Sequence, residues 1–292
     1  MPKCLIVYFS QTGATARTGE RIAAGLHASG FEVKACNIKD EKPPDVHGYD
    51  MLGIGSPVYA FKPPLNVCDY VSRLPNLEGK PAFLFLTHGT YRFNAADRIW
   101  RELVRKKAKE VGYFHCRGAD FALGYLKLGY LFSPDHPSAK ELAEAEAFGR
   151  EIATGVQGSQ KLTAPLEAAP PLIYRLERLT YSRWLSSWVQ SRLFKLNAQK
   201  CNACGLCVAR CPVRNITEDK SGHPVWGRNC LLCLTCEMEC PEEAILSLQS
   251  SSVARLFMKY NVRKASQDPS ITHIRVTHRR GRTIRADTTG TS

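Results

Sequence analysis

The chain has 292 residues, of which 44% are hydrophobic and 23% are charged, the composition of an ordinary folded globular protein. This composition excludes a largely disordered chain, and the length suits one large domain or two domains of ~100–150 residues. No apolar run approaches the ~18–20 residues that span a bilayer, and the N-terminal apolar run is too short for a secretory signal. We therefore expect a cytoplasmic protein without a transmembrane segment.

The net charge of +13 is unevenly distributed along the chain. Residues 1–155 carry a net charge of +3 and residues 201–250 carry −2, whereas residues 156–200 carry +5 and residues 251–292 carry +7. Concentrated positive charge predicts contact with an acidic partner or an anionic surface. The alternative is that this charge only keeps a loose tail soluble.

The first half of the chain alternates short apolar runs with helical patterns, which is typical of a parallel sheet wound with helices. The predicted strands are Leu5–Phe9, Glu32–Asn37, Met51–Gly55, Ala82–Thr87 and Tyr113–Asp120. The predicted helices are Ala14–Ser29, Leu65–Leu74, Ala95–Glu110 and Ser138–Thr154. Strands that are apolar at nearly every position indicate a sheet covered on both faces. We expect an α/β, doubly wound domain with a five-stranded parallel sheet.

The remaining chain divides by composition into three further segments. Residues 155–171 contain three prolines and end the first domain, which we place at residues 1–155. Residues 156–196 form a linker. Within it, residues 172–196 have the apolar spacing of a helix with a basic face. Such a helix either contacts a membrane surface or a partner, or packs on its own protein. Residues 197–250 contain most cysteines, and residues 251–292 form a basic extension that we expect to be partly disordered.

Eight of the twelve cysteines lie between Cys201 and Cys240, in two runs of the form C-x2-C-x2-C-x3-C-P. Each cysteine of the second run lies 29 residues after its counterpart in the first run, which predicts two related sites. In a reducing compartment, such clustering indicates metal or cluster binding rather than disulfides. Zinc is the alternative, although zinc sites normally use two separated pairs of cysteines. The other cysteines, Cys4, Cys36, Cys68 and Cys116, are expected to be buried core residues.

The two runs resemble those of bacterial ferredoxins with two [4Fe–4S] clusters, a small α+β fold, over about residues 195–250. In such ferredoxins the fourth cysteine of each run binds the other cluster. The resemblance therefore implies that one cluster is held by Cys201, Cys204, Cys207 and Cys240. It implies that the other cluster is held by Cys230, Cys233, Cys236 and Cys211.

The segment from Ser10 to Thr15 leads from the first predicted strand into the first predicted helix. Its hydroxyl groups and the backbone N–H groups at a helix N-terminus can hold an anion. The segment contains neither the G-x-G-x-x-G dinucleotide motif nor the G-x-x-x-x-G-K-[ST] phosphate loop, which argues against NAD binding and nucleotide hydrolysis at this loop. A simple helix cap is the remaining structural interpretation.

The S-x-T-G-x-T pattern is similar to the phosphate-binding loop of flavodoxins, and the loops after the third and fourth strands resemble flavodoxin loops that bind the isoalloxazine ring. The resemblance implies FMN, with Tyr59 as the candidate to stack on the ring and His88 and Tyr91 as further candidates. The implied FMN-binding residues are Ser10, Gln11, Thr12, Gly13, Ala14, Thr15, Pro57, Val58, Tyr59, Ala60, Thr87, His88, Gly89 and Thr90.

Together the two halves resemble the flavodoxin–ferredoxin fusion family. The resemblance implies an electron-transfer protein that passes electrons between two [4Fe–4S] clusters and FMN and serves a redox partner protein, such as a ferredoxin, a reductase or an acceptor enzyme. Clusters move single electrons and FMN accepts two, so such a chain converts between one- and two-electron steps. No set of catalytic residues is evident beyond the cofactors.

Two other functions are compatible with the sequence. The first is a flavin-dependent enzyme that acts on a bulky organic substrate, quinone- or tetrapyrrole-like, with Tyr125, Tyr130 and Phe132 forming an apolar wall or simply covering the core. The second is a redox sensor whose Arg-rich tail binds a partner. We expect no nucleic-acid binding, since the sequence contains no recognition motif for it.

Overall fold

The computed structural model describes residues 1–157 and 167–285. Within them the chain forms two compact units. The first contains the described residues of Met1–Ala119 and Asp135–Leu179, and the second those of Asp120–Pro134 and Thr180–Ser292. The chain therefore passes between the units three times, whereas the sequence predicts domains that follow one another in a line.

The helices and strands are numbered in chain order. The strands are β1 (Lys3–Tyr8), β2 (Glu32–Asn37), β3 (Met51–Pro57), β4 (Pro81–His88), β5 (Lys109–Arg117), β6 (Tyr130–Phe132), β7 (Lys195–Leu196), β8 (Ile216–Glu218), β9 (Pro224–Trp226), β10 (Ile245–Leu246), β11 (His273–Arg279) and β12 (Arg282–Arg285). The α-helices are α1 (Ala14–Ala28), α2 (Leu65–Arg73), α3 (Ala96–Arg105), α4 (Leu123–Lys127), α5 (Ala139–Gln157), α6 (Leu172–Thr180), α7 (Arg183–Trp188), α8 (Leu206–Ala209), α9 (Thr235–Met238) and α10 (Ser252–Ser266).

The first unit is built on a five-stranded sheet with the order β2-β1-β3-β4-β5. All four neighbouring pairs are parallel, which confirms the predicted doubly wound α/β domain. The central strands β1, β3 and β4 are buried along most of their length, because helices cover both faces of the sheet. The carboxyl ends of these three strands lie side by side, where this fold places its ligands.

Helices α1 and α5 cross at two glycines. A Cβ atom at Gly25 would lie 2.0 Å from the carbonyl oxygen of Glu146, and one at Gly149 would lie 2.3 Å from the carbonyl oxygen of Ile22. Only glycine permits this approach of the two backbones. The core beneath the crossing includes Ile6, Ile22, Leu26, Phe83, Phe85, Phe148 and Ile152.

The third helix and fifth strand differ from their predicted bounds. Helix α3 was expected to run from Ala95 to Glu110 but ends at Arg105, because Lys107 adopts a left-handed conformation (φ 58°) that a helix cannot continue through. The strand predicted at Tyr113–Asp120 begins earlier, at Lys109, and ends at Arg117. The amide of Lys109 donates to the Lys80 carbonyl at 2.9 Å, so the chain enters the sheet directly after the turn.

The helical pattern expected over residues 172–196 is divided into the separate helices α6 and α7. The Ser182 hydroxyl accepts a hydrogen bond from the Leu185 amide at 3.3 Å and caps a new helix there. Helix α6 belongs to the first unit and α7 to the second. No helix of the described residues is long and apolar enough to cross a membrane.

The basic extension is ordered through residue 285. It contains α10 and a hairpin of β11 and β12, and β11 also pairs antiparallel with β6. Most of the extension that was expected to be partly disordered is folded in the described residues, because backbone pairing and a buried Val276 hold the hairpin in place. Residues 286–292 lie outside the described residues.

Candidate functional site

Three loops meet at the carboxyl edge of the first unit's sheet. The Val58 amide donates to the Thr87 carbonyl at 3.0 Å, and the Thr15 and Thr87 hydroxyls are 2.7 Å apart. The Tyr59 hydroxyl donates to Oε1 of Gln11 at 2.8 Å. The structure thus brings together the loops that contain the predicted FMN residues, Ser10–Thr15, Pro57–Ala60 and Thr87–Thr90.

The loop before α1 ends at Gly13, which is left-handed (φ 92°) and offers no side-chain cap to the helix. The Ser10 hydroxyl accepts from the Ala16 amide at 3.2 Å, and Thr15 is buried. The Thr12 side chain is exposed. Of the three predicted hydroxyls, two therefore have partners within the protein and one faces solvent. A helix N-terminus that begins after Gly13, which has no side chain, and lies beside the exposed Thr12 hydroxyl suits a phosphate group without any cationic side chain.

His88 is buried beside this edge. Burial, followed by the charges of His115 and Arg117, lowers its pKa to about 3, so the imidazole is neutral at pH 7. Its Nδ1 lies 3.1 Å from the Thr90 carbonyl oxygen. Because a carbonyl can only accept, Nδ1 must carry the proton and donate it. His88 therefore presents no positive charge to a bound ring.

Tyr59 and Tyr91, the aromatic candidates, have different surroundings. Tyr59 is half-buried and meets Phe9 edge-on, with ring centroids 6.3 Å apart. Tyr91 stacks on Phe93 at 5.5 Å, and Tyr174 of α6 lies 6.2 Å away. Tyr91 thus belongs to an aromatic cluster that fixes α6 against the loops.

Two residues that sequence reasoning missed support these loops. Asn37 at the end of β2 binds both backbone polar groups of Ser10. Arg117 at the end of β5 donates from Nη1 to the carbonyls of Gly89 and Thr90, each at 3.0 Å. Their positions in the sequence could have indicated this role, since each was expected at or near the carboxyl end of a predicted strand.

The second unit contains a cavity lined by four cysteines, three from the first cysteine run and the last cysteine of the second run. Its lining includes Cys201, Cys204, Cys207 and Cys240. The Ala244 amide donates to Sγ of Cys240 at 3.3 Å. These are the four cysteines that the resemblance assigned to one cluster.

The other four cysteines lie within electrostatic reach of one another. The pKa of Cys236 is raised mainly by burial, and the charges of Cys233, Cys230 and Cys211 raise it further. Burial is also the main cause that raises the pKa of Cys230 to about 12, again with contributions from Cys233 and Cys211. As free thiols Cys230 and Cys236 stay protonated, whereas bound iron would stabilise the thiolate.

The backbone repeats with the same offset of 29 residues as the cysteines. Helix α9 follows α8 at this offset, and the amides of Asn215 and Ala244 each donate to the sulfur four residues earlier, Cys211 at 3.2 Å and Cys240 at 3.3 Å. Left-handed residues recur in three matched pairs: Ala203 and Leu232, Gly205 and Leu234, Arg214 and Glu243. The sequence repeat is therefore a structural repeat.

Backbone amides donate hydrogen bonds to cysteine sulfurs in both runs. Among the described residues, no three His, Cys, Asp or Glu side chains converge closely enough to hold a single metal ion. A tetrahedral zinc site would draw four ligands within ~2.3 Å of one centre. Hydrogen bonds to the sulfurs are one of the features that set the potential of an iron–sulfur cluster.

Tyr125 and Phe132, proposed above as part of a substrate wall, lie in the second unit and are buried, with 7% and 0% exposed. Their rings meet edge-on with centroids 5.2 Å apart. Tyr130 stacks on Phe132, and Arg275 lies over the Tyr130 ring. Tyr125 and Phe132 are thus core residues, whereas Tyr130 is partly exposed beneath Arg275.

Comparison with known proteins identifies a flavodoxin domain at residues 5–127 and a 4Fe–4S binding domain at residues 194–217. An uncharacterized protein of Methanocaldococcus jannaschii is 27% identical over 156 residues, which cover 51% of this chain and 97% of that protein. Similar solved structures include a flavodoxin from the domain Archaea (20% identity, TM-score 0.41, 53% of this chain and 99% of that chain). The Megasphaera elsdenii flavodoxin is another (23% identity, TM-score 0.40, 52% and 98%).

A flavodoxin domain and a 4Fe–4S binding domain in one chain indicate an iron–sulfur flavoprotein of electron transfer. The order of its parts, a flavodoxin domain followed by a 4Fe–4S domain, matches a flavodoxin–ferredoxin fusion.

Proposed function

We propose that this protein passes electrons between two [4Fe–4S] clusters and FMN and so converts one- and two-electron steps for a redox partner protein. The observation that carries the proposal is the presence, in one chain, of two repeated cysteine sites and a flavodoxin-type loop edge. When bound, the clusters supply single-electron transfer and FMN supplies two-electron transfer.

In this proposal Cys201, Cys204, Cys207 and Cys240 hold the first cluster. The second is held by Cys230, Cys233, Cys236 and Cys211. Support for this crossed arrangement comes from the cavity that Cys240 shares with the first run and from the mutual charge effects that link Cys211 with the second run. Amide donors to the sulfurs of Cys211, Cys230 and Cys240 stabilise thiolate charge.

FMN is assigned to the loop edge of the first unit. Thr12, Gly13 and the first amides of α1 would hold the phosphate, and Tyr59 would stack on the ring. The Tyr59–Gln11 hydrogen bond orients the tyrosine, while Arg117 fixes the Gly89 and Thr90 carbonyls. Neutral His88 keeps positive charge away from the ring.

The protein is assigned to a reducing compartment, the cytoplasm. All twelve cysteines are free, and Cys4, Cys36, Cys68 and Cys116 are buried as core residues. Persistent buried thiols are typical of cytoplasmic proteins. The FMN site is assigned to residues 1–155 and the clusters to residues 197–250, with the segment from 156 to 196 between them and the basic extension from 251 to 292 after them.

An anaerobic reductive titration of the purified protein tests the proposal, with iron and flavin quantified on the same sample. We expect about eight irons and one FMN per chain, and cluster EPR signals that develop together with bleaching of the flavin absorbance. The matched control is Cys201→Ala combined with Cys230→Ala, which should lose iron and keep FMN. Eight irons without flavin would overturn the electron relay, and flavin without iron would overturn the cluster assignment.

A further inference from the structure

The second unit exposes two tryptophans on one short element. Trp184 is 67% exposed and Trp188 is 47% exposed, although both belong to α7. Arg183, Arg192 and Arg228 flank them, and we call these five residues the Trp–Arg face. Large exposed apolar side chains surrounded by polar groups typically mark an interaction surface.

The Trp–Arg face is attached to the start of the second cysteine run. Ser186, fully buried on the opposite side of α7, donates from its hydroxyl to the Cys230 carbonyl at 2.5 Å. Nη1 of Arg183 donates to Oδ1 of Asn229 at 3.1 Å. A molecule bound to this face would therefore lie beside the residues proposed to hold the second cluster.

The charge of the face is positive. The Arg228 guanidinium lies 4.0 Å from the centre of the Trp188 ring, and that of Arg192 lies 5.7 Å from it. No Asp or Glu occurs between Thr180 and Thr217. Tryptophan and arginine are also the side chains that most often carry binding energy in protein interfaces. Charge and composition together fit an acidic protein surface.

A lipid bilayer fits the face less well. An interfacial helix needs a continuous apolar stripe that can enter the headgroup region, and α7 has only six residues. The Trp188 ring is also flanked by guanidinium groups, whose charge opposes insertion into an apolar layer.

We propose that an acidic one-electron carrier protein docks on the Trp–Arg face and exchanges electrons beside the second cysteine run. This inference rests on the proposed electron-transfer function. In the exchange the carrier is oxidised by one electron and the cluster is reduced by one electron, or the reverse. No bond is formed or broken and no proton is transferred.

The test uses the intact, cofactor-loaded protein and an acidic plant-type [2Fe–2S] ferredoxin as the probe. Stopped-flow absorbance measures the second-order rate of electron exchange at low ionic strength and at ~0.5 M salt, where charges are screened beyond a few ångströms. The variants are Trp184→Ala, Trp188→Ala and Arg192→Glu. Matched controls on exposed positions of α10 are Leu256→Ala and Lys259→Glu. Iron and flavin content is compared with the wild type in each case.

We expect each tryptophan variant to slow exchange about fivefold and Arg192→Glu to slow it about tenfold at low salt only. The α10 variants should change the rate less than about twofold. Equal rates in all variants, or a loss confined to the α10 variants, would overturn the docking proposal. So would a loaded wild type that exchanges no electrons with the ferredoxin, or vesicles of phosphatidylserine that bind the wild type but not Trp184→Ala.

Failure of the proposed function gives a different result. In that case the purified wild type contains no clusters or no flavin, and dithionite changes neither its absorbance nor its EPR spectrum. A wild type that takes up electrons from dithionite but responds to none of the Trp–Arg substitutions contradicts the docking proposal alone.

Discussion

Asn37 binds Ser10 through both polar atoms of its side-chain amide. Its Oδ1 accepts from the Ser10 amide at 3.2 Å, and its Nδ2 donates to the Ser10 carbonyl at 3.1 Å. The side chain thus makes the two backbone hydrogen bonds that a neighbouring strand would make, at the point where β1 ends and the proposed phosphate loop begins. The loop is held in shape before any ligand arrives, which lowers the entropy lost on binding.

Replacement of Asn37 by alanine should therefore weaken FMN binding without removing any group that touches FMN. Loss of two hydrogen bonds to the backbone of Ser10 corresponds to about 1–3 kcal/mol, or a rise in the FMN dissociation constant of about tenfold. Fluorescence titration of flavin-free protein with FMN measures it. The control is Asn76→Ala, which removes an exposed asparagine that caps its own turn. Equal FMN affinity in Asn37→Ala and the wild type would contradict the role given to Asn37.

Pairs of cysteine substitutions distinguish crossed from local cluster binding. If Cys201 and Cys240 hold the same cluster, the double variant Cys201→Ala, Cys240→Ala loses one cluster and keeps about four of eight irons. The double variant Cys201→Ala, Cys211→Ala damages both sites and should retain almost no iron. Local binding within each run predicts the reverse order. Iron analysis and EPR of the two purified variants decide between the arrangements.

The buried histidine His88 predicts an acid-sensitive first unit. Burial and neighbouring positive charges lower its pKa from 6.5 in the unfolded chain to about 3 in the folded protein. Below pH ~6.5 the unfolded state therefore binds a proton that the folded state does not, and stability falls as the pH decreases toward the folded-state pKa. The slope from His88 is at most about 1.4 kcal/mol per pH unit.

Urea unfolding of flavin-free protein at pH 7 and pH 5 measures this effect. His88→Gln should reduce the loss of stability between the two pH values, and the same substitution at the exposed His47 serves as the control. His115, whose pKa burial lowers to about 4, should account for part of the dependence that remains. An unchanged loss in His88→Gln would show that other groups control acid stability.

The crossing of α1 and α5 depends on glycine. In Gly25→Ala the new methyl group would overlap the Glu146 carbonyl oxygen, so the helices must separate. We expect the free energy of unfolding to fall by about 1–3 kcal/mol. Gly48→Ala is the matched control, since a Cβ there meets no atom within 4 Å. A midpoint of denaturation equal to that of Gly48→Ala would contradict this account.

The central sheet could be predicted because burial on both faces leaves a continuous apolar run. The predicted Glu32–Asn37 agrees with β2 at both ends, and the predicted Ala82–Thr87 lies within β4. The repeat of the two cysteine runs is evident from their constant offset of 29 residues. Both signals are local, so they need no knowledge of distant contacts.

Contacts over long sequence distances were not predictable in the same way. Strand β6 has only three residues, too few for a periodic pattern, and its partner β11 is about 140 residues away. A signal for β11 did exist, since polar and apolar residues alternate from His273 to Thr277. The high charge of the basic extension obscured this alternation and favoured the expectation of partial disorder.

The pairing of β6 with β11 sets the order in which parts of the chain can fold during synthesis. A ribosome makes residues 1–157 first, and the sheet of the first unit can form as soon as its strands emerge. The segment from 120 to 134, however, must wait for residues 273–275 before β6 has a partner. A chain halted before residue 273 therefore lacks the strand that pairs with β6.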